Sequence, residues 1–320
     1  MLTRKIGHTA VEVTEIAFGC ASIGNLYREI GEAQAQEVLQ TAWNAGIRYF
    51  DTAPHYGRGL SEMRLGRFLK GRSGFTLSTK VGRVLSPAKA LIAEADCYVN
   101  PAQNDVRYDY FGDGIEESLE QSLERLGVSH VDLVYVHDIG EYTHGARNAA
   151  HMDAFLSSGY DRLVRLKEAG RIGAFGLGVN ECQVCLDIMD HGPIDAILLA
   201  GRLTLLDRSA EAELMPRCRE AGTSLVLGGV FNSGILATGP VEGATYDYGP
   251  APLEVLDRVR VLQGRAERAG IPLATAALLF AKHHPATAAV LLGTAKSGTL
   301  SRNLEALSQQ VPEAAAGLLA

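Results

Sequence analysis

Eight short apolar runs recur along this chain, separated by longer stretches, several with helical periodicity: Ile16 to Gly19, Tyr49-Phe50, Thr76 to Ser78, Leu133 to Val136, Ala174 to Leu177, Ala196 to Leu199, Ser224 to Leu227 and Ala289 to Leu292. A run that is followed by a helix cannot turn tightly back onto its neighbour, so repeated strand–helix units build a parallel sheet, and eight of them close a barrel. The expected fold class is therefore α/β, a (β/α)8 TIM barrel. Helices are read over 33–45, 115–126, 160–169 and 253–269, with Gly46 and Gly170 where a helix C-terminus favours glycine. Thr3 to Val13 reads as a β-hairpin, with Gly7-His8 in its middle, that caps the N-terminal end of the barrel.

No internal repeat or low-complexity linker interrupts the 320 residues, so the expectation is a single domain over 1–320. Two connections exceed simple turns, Val84 to Gly112 and Gly228 to Pro252, and long loops in a compact domain tend to carry function. The net charge of −7, without a basic run, argues against a nucleic-acid partner. No apolar stretch reaches the roughly 20 residues of a membrane span. Met1 to Lys5 lacks a signal-peptide core, and five scattered cysteines suit a reducing compartment, so a cytoplasmic location is expected.

Chemistry concentrates at the ends of three successive strands. Phe50-Asp51-Thr52-Ala53-Pro54-His55-Tyr56-Gly57 sets a carboxylate near a phenol, Lys80 follows the third run, and His137 follows the fourth. In a parallel barrel all of these open onto one face. Carbonyl reduction needs a proton donor, and a free phenol with a pKa near 10 is a poor one at neutral pH. An adjacent ammonium would lower that pKa, so Lys80 is expected to tune Tyr56, Asp51 to hold Lys80, and His137 to orient the substrate oxygen.

This pattern resembles the aldo-keto reductase superfamily from about Arg4 to Leu307, including Ser61-Glu62 and Leu65-Gly66 after the tyrosine. The resemblance implies a (β/α)8 barrel, a nicotinamide dinucleotide bound without a Rossmann motif, and a catalytic set of Asp51, Tyr56, Lys80 and His137. Many relatives place Ser-Asn after the fifth strand to hold the nicotinamide carboxamide. Here the segment reads Gly176-Leu177-Gly178-Val179-Asn180, so Asn180 is the candidate, one place late. Ala200 to Asp207 resembles a subgroup that includes L-fucose dehydrogenase, D-threo-aldose 1-dehydrogenase and pyridoxal 4-dehydrogenase.

By the same resemblance, Gly228, Gly229 and Phe231 are candidates to cover the cofactor, and Gly293, Thr294, Lys296, Thr299, Arg302 and Asn303 to hold its adenosine end. Gly293 and Thr299 stand where NADP-preferring relatives carry basic residues, which favours NAD over NADP, with Lys296 or Arg302 as alternative partners for a 2′-phosphate. Arg107, Tyr108 and Arg202 are the candidate substrate contacts, with Asn100 and Asp109 as further hydrogen-bonding groups in the first long loop. Tyr246 and Tyr248 rank after them. The expected reaction is oxidation of an aldose at C1 to its lactone. The alternatives are a pyridoxal 4-dehydrogenase, a general aldehyde reductase, or a non-catalytic subunit that senses nucleotide. The oligomeric state is left open.

Other signals are discounted. Cys182-x-x-Cys185 has no second pair and starts a helix, so it reads as packing, and His283-His284 reads as a helix end. No metal-ligand pattern stands at the strand ends. Leu60 occupies the lysine place of a Tyr-x-x-x-Lys motif, which excludes the short-chain dehydrogenase arrangement.

Overall fold

The computed structural model describes residues 1–319, and every one of the eight runs forms a strand of one closed barrel. They are β1 (Ile16–Gly19), β2 (Tyr49–Asp51), β3 (Thr76–Val81), β4 (Val131–His137), β5 (Ile172–Val179), β6 (Ala196–Ala200), β7 (Ser224–Gly228) and β8 (Thr287–Leu292). Each pairs in parallel with its neighbours in chain order, and β8 closes onto β1. Around them lie α1 (Glu32–Asn44), α2 (Leu60–Leu69), α3 (Gly112–Leu126), α4 (Tyr160–Glu168), α5 (Gln183–His191), α6 (Leu214–Ala221), α7 (Leu253–Arg268), α8 (Leu273–His283) and α9 (Ser297–Ser308). None is long and apolar enough to cross a membrane, and this holds for the described residues.

Two apolar layers follow from strand alternation. Side chains facing outward, such as Phe18, Phe50, Val134, Phe175 and Leu227, pack with the helices. Those facing inward, such as Ala17, Tyr49, Leu133, Tyr135, Leu198 and Val226, fill the barrel and meet Ile6, Val11 and Val13. These last three come from the expected N-terminal hairpin, in which Thr3–Lys5 pairs with Glu12–Thr14. The barrel is thus plugged at its N-terminal end and open at the other.

The two long connections are folded rather than loose. The first pairs Arg83–Pro87 with Asn104–Tyr108 and carries a smaller pair, Glu94–Ala95 with Tyr98–Val99, at its tip. The second carries the pair Thr245–Tyr246 and Gly249–Pro250. Both stand at the C-terminal rim because they follow the C-terminal ends of β3 and β7.

Candidate active site

Register brings the expected tetrad together. Asp51 in β2 lies opposite Ser78 in β3, and Lys80 in β3 lies opposite Tyr135 in β4. Asp51 accepts a 2.7 Å hydrogen bond from the Ser78 hydroxyl and a 2.6 Å bond from the Lys80 ammonium, which also donates to the Thr52 carbonyl at 2.9 Å. Asp51 and Lys80 are both buried, so neither charge is tolerable without the other. Gly178 in β5 makes room for the lysine, since a Cβ there would lie 3.3 Å from Lys80 Cε.

Tyr56 follows β2 in a loop, with its ring centroid 4.6 Å from Lys80 Nζ. The ring of His137, the last residue of β4, stands edge-on to Tyr56 at 5.7 Å. Tyr56, Lys80 and His137 all line a pocket of about 260 Å³ at the open end of the barrel. The Ser61-Glu62 pair anchors this loop from behind: the Ser61 hydroxyl donates to the Cys20 carbonyl at 2.8 Å, and Glu62 accepts from Thr79 at 2.7 Å and Arg125 at 2.6 Å.

One electrostatic expectation is corrected. The Tyr56 phenol is not brought below its ordinary value: burial pushes it well above, with Asp51 and Asp138 adding to the rise and Arg83 opposing it. The ammonium is paired with Asp51 at 2.6 Å, so its charge near the phenol is opposed by that of the carboxylate. Burial pushes the Asp51 carboxyl up, against the opposing pull of Lys80 and Ser78. His137 is held well below the ordinary imidazole value by burial, then by Arg83 and Lys80, and is neutral at physiological pH.

Two neighbours of His137 escaped sequence reasoning. Arg83, buried just beyond β3, approaches His137 Nδ1 at 3.2 Å and donates to Asp138 at 2.6 Å. Asp138 lines the pocket and approaches His137 Nε2 at 3.4 Å. Gly82, at φ +101°, makes the turn that aims Arg83 inward. A charged residue directly after a glycine at a strand end was the only available signal.

The substrate candidates stand apart from the pocket lining. Arg107 points to solvent and pairs with Asp109 and Glu117, and Asn100 donates to Glu29. Tyr108 packs edge-on against His144 at 4.8 Å and stays outside the pocket. The first long loop reaches the site through its tip instead, with Asp96, Cys97 and Tyr98. Arg202 is also outside the pocket, because Asp247 on the second long loop takes its guanidinium. That loop contributes Tyr248 to the lining, and Tyr142 completes the wall.

Asn180 lines the pocket, its amide nitrogen 3.5 Å from both the Ala200 carbonyl and the Tyr248 hydroxyl. Gly228 ends β7, Gly229 is exposed beyond it, and Phe231, partly buried, packs against the apolar core. Gly293 to Lys296 connect β8 to α9, and Thr299, Arg302 and Asn303 lie in the first two turns of that helix. Arg302 donates to the Thr299 hydroxyl at 3.2 Å, and the Ser297 hydroxyl donates to Glu37 of α1. In the first turn of α9 the amides of Thr299 and Leu300 donate to the Lys296 carbonyl at 3.1 Å each, and those of Ser297 and Gly298 precede any possible helical acceptor. The Ser297 and Gly298 amides at the start of α9 and the Asn180 amide are chemically suited to a phosphate and a carboxamide, the groups that a nicotinamide dinucleotide carries.

A closed parallel barrel with a buried carboxylate–ammonium pair beneath a rim phenol defines the class of barrel oxidoreductases. The chain belongs to the Aldo/keto reductase family, whose family model matches residues 15–318, and is an oxidoreductase of a family that uses nicotinamide cofactors. It is 37% identical to pyridoxal 4-dehydrogenase of Microbacterium luteolum, over 97% of this chain and 94% of that one. It is 36% identical to D-threo-aldose 1-dehydrogenase of a Pseudomonas species, over 94% and 91%. Among solved structures, an aldo-keto reductase of Bacillus halodurans in its holo form superposes with a TM-score of 0.77 at 26% identity, covering 97% of this chain and 92% of that one.

Proposed function

We propose that the protein oxidises the C1 hydroxyl of a small aldose, giving the lactone when the sugar is cyclic, with NAD as the preferred cofactor. The observation that carries the reading is the Asp51–Lys80 pair, 2.6 Å apart, set beneath Tyr56 at a pocket of small-molecule size. When bound, an oxidised nicotinamide supplies the hydride acceptor and a positive charge. Tyr56 takes the hydroxyl proton of the substrate, and Lys80 and Arg83 stabilise the phenolate side of that exchange. In the reverse direction the raised pKa keeps Tyr56 protonated, the form that donates to a carbonyl oxygen. His137, neutral, donates a hydrogen bond to the same oxygen.

Charge supports an uncharged, hydroxyl-rich substrate. Among the described residues Lys80 is the sole Lys or Arg lining the pocket and is already paired, while Asp96 and Asp138 also line it. A phosphorylated substrate would meet carboxylates without a compensating cation. NAD is supported at the adenosine end, where Glu37 beside Ser297 puts a carboxylate close to the start of α9 and opposes a 2′-phosphate. A cytoplasmic enzyme that acts without nucleic acid fits the same reading.

The walls favour one second reading. Tyr27, Tyr98, Tyr142 and Tyr248 line the pocket and offer aromatic faces, which also suits a pyridoxal or another aromatic aldehyde. A pure nucleotide sensor has no chemical use for the buried pair beneath a phenol. A panel of six-carbon aldoses and deoxyaldoses, pyridoxal and benzaldehyde, assayed with NAD(H) and NADP(H), decides between them. An aldose should give the highest kcat/KM, with strong dependence on hydroxyl configuration. Pyridoxal turnover with all aldoses near background would replace the sugar reading with the second one.

A further inference from the structure

Arg83 has a place that the tetrad does not explain. It is buried, its Nη1 lies 3.2 Å from His137 Nδ1, and its Nη2 donates to Asp138 at 2.6 Å, while its Nε has no partner. A buried, half-satisfied guanidinium is expensive to hold, so the two bonds that it does make are informative. Guanidinium nitrogens only donate, and an arginine stays protonated in proteins. The Nδ1 of His137 must therefore present its lone pair, and the ring proton must sit on Nε2. A cationic imidazole would set an Nδ1–H against the guanidinium N–H.

We infer that Arg83 is a positioning residue that locks His137 as the neutral Nε2–H tautomer and thereby aims a single N–H donor at the substrate oxygen. The Nε2 faces Asp138 across 3.4 Å, and both residues line the pocket. Asp138 has a left-handed backbone, at φ +50°, and its carboxylate is fixed by the same guanidinium. One side chain thus sets the tautomer of the donor and the position of the acceptor beside it. The remaining groups around His137 are Lys80 of β3, paired with Asp51, and His55 and Tyr56 of the loop after β2, whose rings each lie 5.7 Å away. Tyr110, before α3, donates to the His137 carbonyl at 2.8 Å. None of these side chains reaches Nδ1.

The inference rests on the reading of His137 as the group that orients the substrate oxygen, but its test uses the free protein. In ¹⁵N-histidine-labelled protein, the signal that disappears in His137→Gln identifies the ring. The wild-type ring should show the Nε2–H pattern and should not titrate between roughly pH 5.5 and 8. Arg83→Met should mix the tautomers or protonate the ring, because Asp138 then faces it without a counter-charge. The kcat/KM of that variant should gain an acid limb near the ordinary histidine value of about 6.5 and fall by about 10- to 100-fold. Arg83→Lys, with one donor for two acceptors, should recover part of both. If Arg83→Met does not fold, Asp138→Asn keeps the contact to Nδ1 and must keep the wild-type tautomer. An Nδ1–H pattern or a titrating ring in the wild type, or a changed tautomer in Asp138→Asn, overturns the assignment. So does an Arg83→Met protein with unaltered spectrum and pH profile. A failed sugar assay leaves the NMR result untouched, so the two readings fail separately.

Discussion

The guanidinium of Arg202 and the carboxylate of Asp247 form two parallel hydrogen bonds of 2.9 Å each, tying the segment after β6 to the long loop after β7. Asp247 and Tyr248 are the two central residues of a tight hairpin turn, at φ +48° and +63°, a strained conformation for residues other than glycine. The clamp holds that turn so that Tyr248 faces the pocket beside Asn180.

Asp247→Ala should therefore loosen the rim and speed dinucleotide release. The pair is partly open to solvent, so about 1 kcal/mol, or roughly fivefold in rate, is the expected size. Stopped-flow fluorescence of bound NADH measures it. An unchanged release rate would show that the turn keeps its place without Arg202.

Tyr56→Phe removes the proton relay and keeps the ring that packs near Lys80 and His137. Turnover should fall by about 10²–10⁴-fold, with dinucleotide affinity within a few fold of wild type. Near-normal turnover in the purified variant would require a different proton donor.

Lys80→Met should act on both pH dependence and stability. Without the ammonium the phenol loses its proton at still higher pH, so residual oxidation, which needs the basic form, should appear only at a higher pH than in wild type. Asp51 is left buried and unpaired, at an expense of about 3–5 kcal/mol. Thermal melts should show Asp51→Asn combined with Lys80→Met to be more stable than Lys80→Met alone. A pH profile identical to wild type would remove Lys80 from the tuning of Tyr56.

Cofactor choice is checked by titrating NADH and NADPH against the intrinsic fluorescence of the protein. NADH should bind more tightly, and Thr299→Arg should shift preference toward NADPH by one to two decades, the size of a charge-assisted contact of about 1.5–3 kcal/mol. Glu37→Gln should move it the same way by less. A wild-type preference for NADPH of tenfold or more would point to Lys296 or Arg302 as the phosphate partner.

The alternation of eight apolar runs with helical segments was enough to specify the barrel, because strand and helix periods are local properties of the chain. Asp51, Tyr56, Lys80 and His137 were legible for a related reason: a parallel barrel sends the C-terminal end of every strand to one rim, so sequence position alone fixes which residues share it. What the loops do there was not legible. Residues 84–112 offered Arg107 and Tyr108, yet antiparallel pairing of Arg83–Pro87 with Asn104–Tyr108 turns Arg107 to solvent and Tyr108 away from the pocket, and carries Tyr98 inward. Arg202 reads as a substrate contact until Asp247, distant in sequence, occupies its guanidinium. The phenol of Tyr56 carries a pKa raised by burial, a quantity that depends on everything packed around it and on nothing adjacent in the chain. Arg83 acquires meaning only when β3 and β4 lie side by side, because the tautomer of His137 is decided by a hydrogen bond between strands.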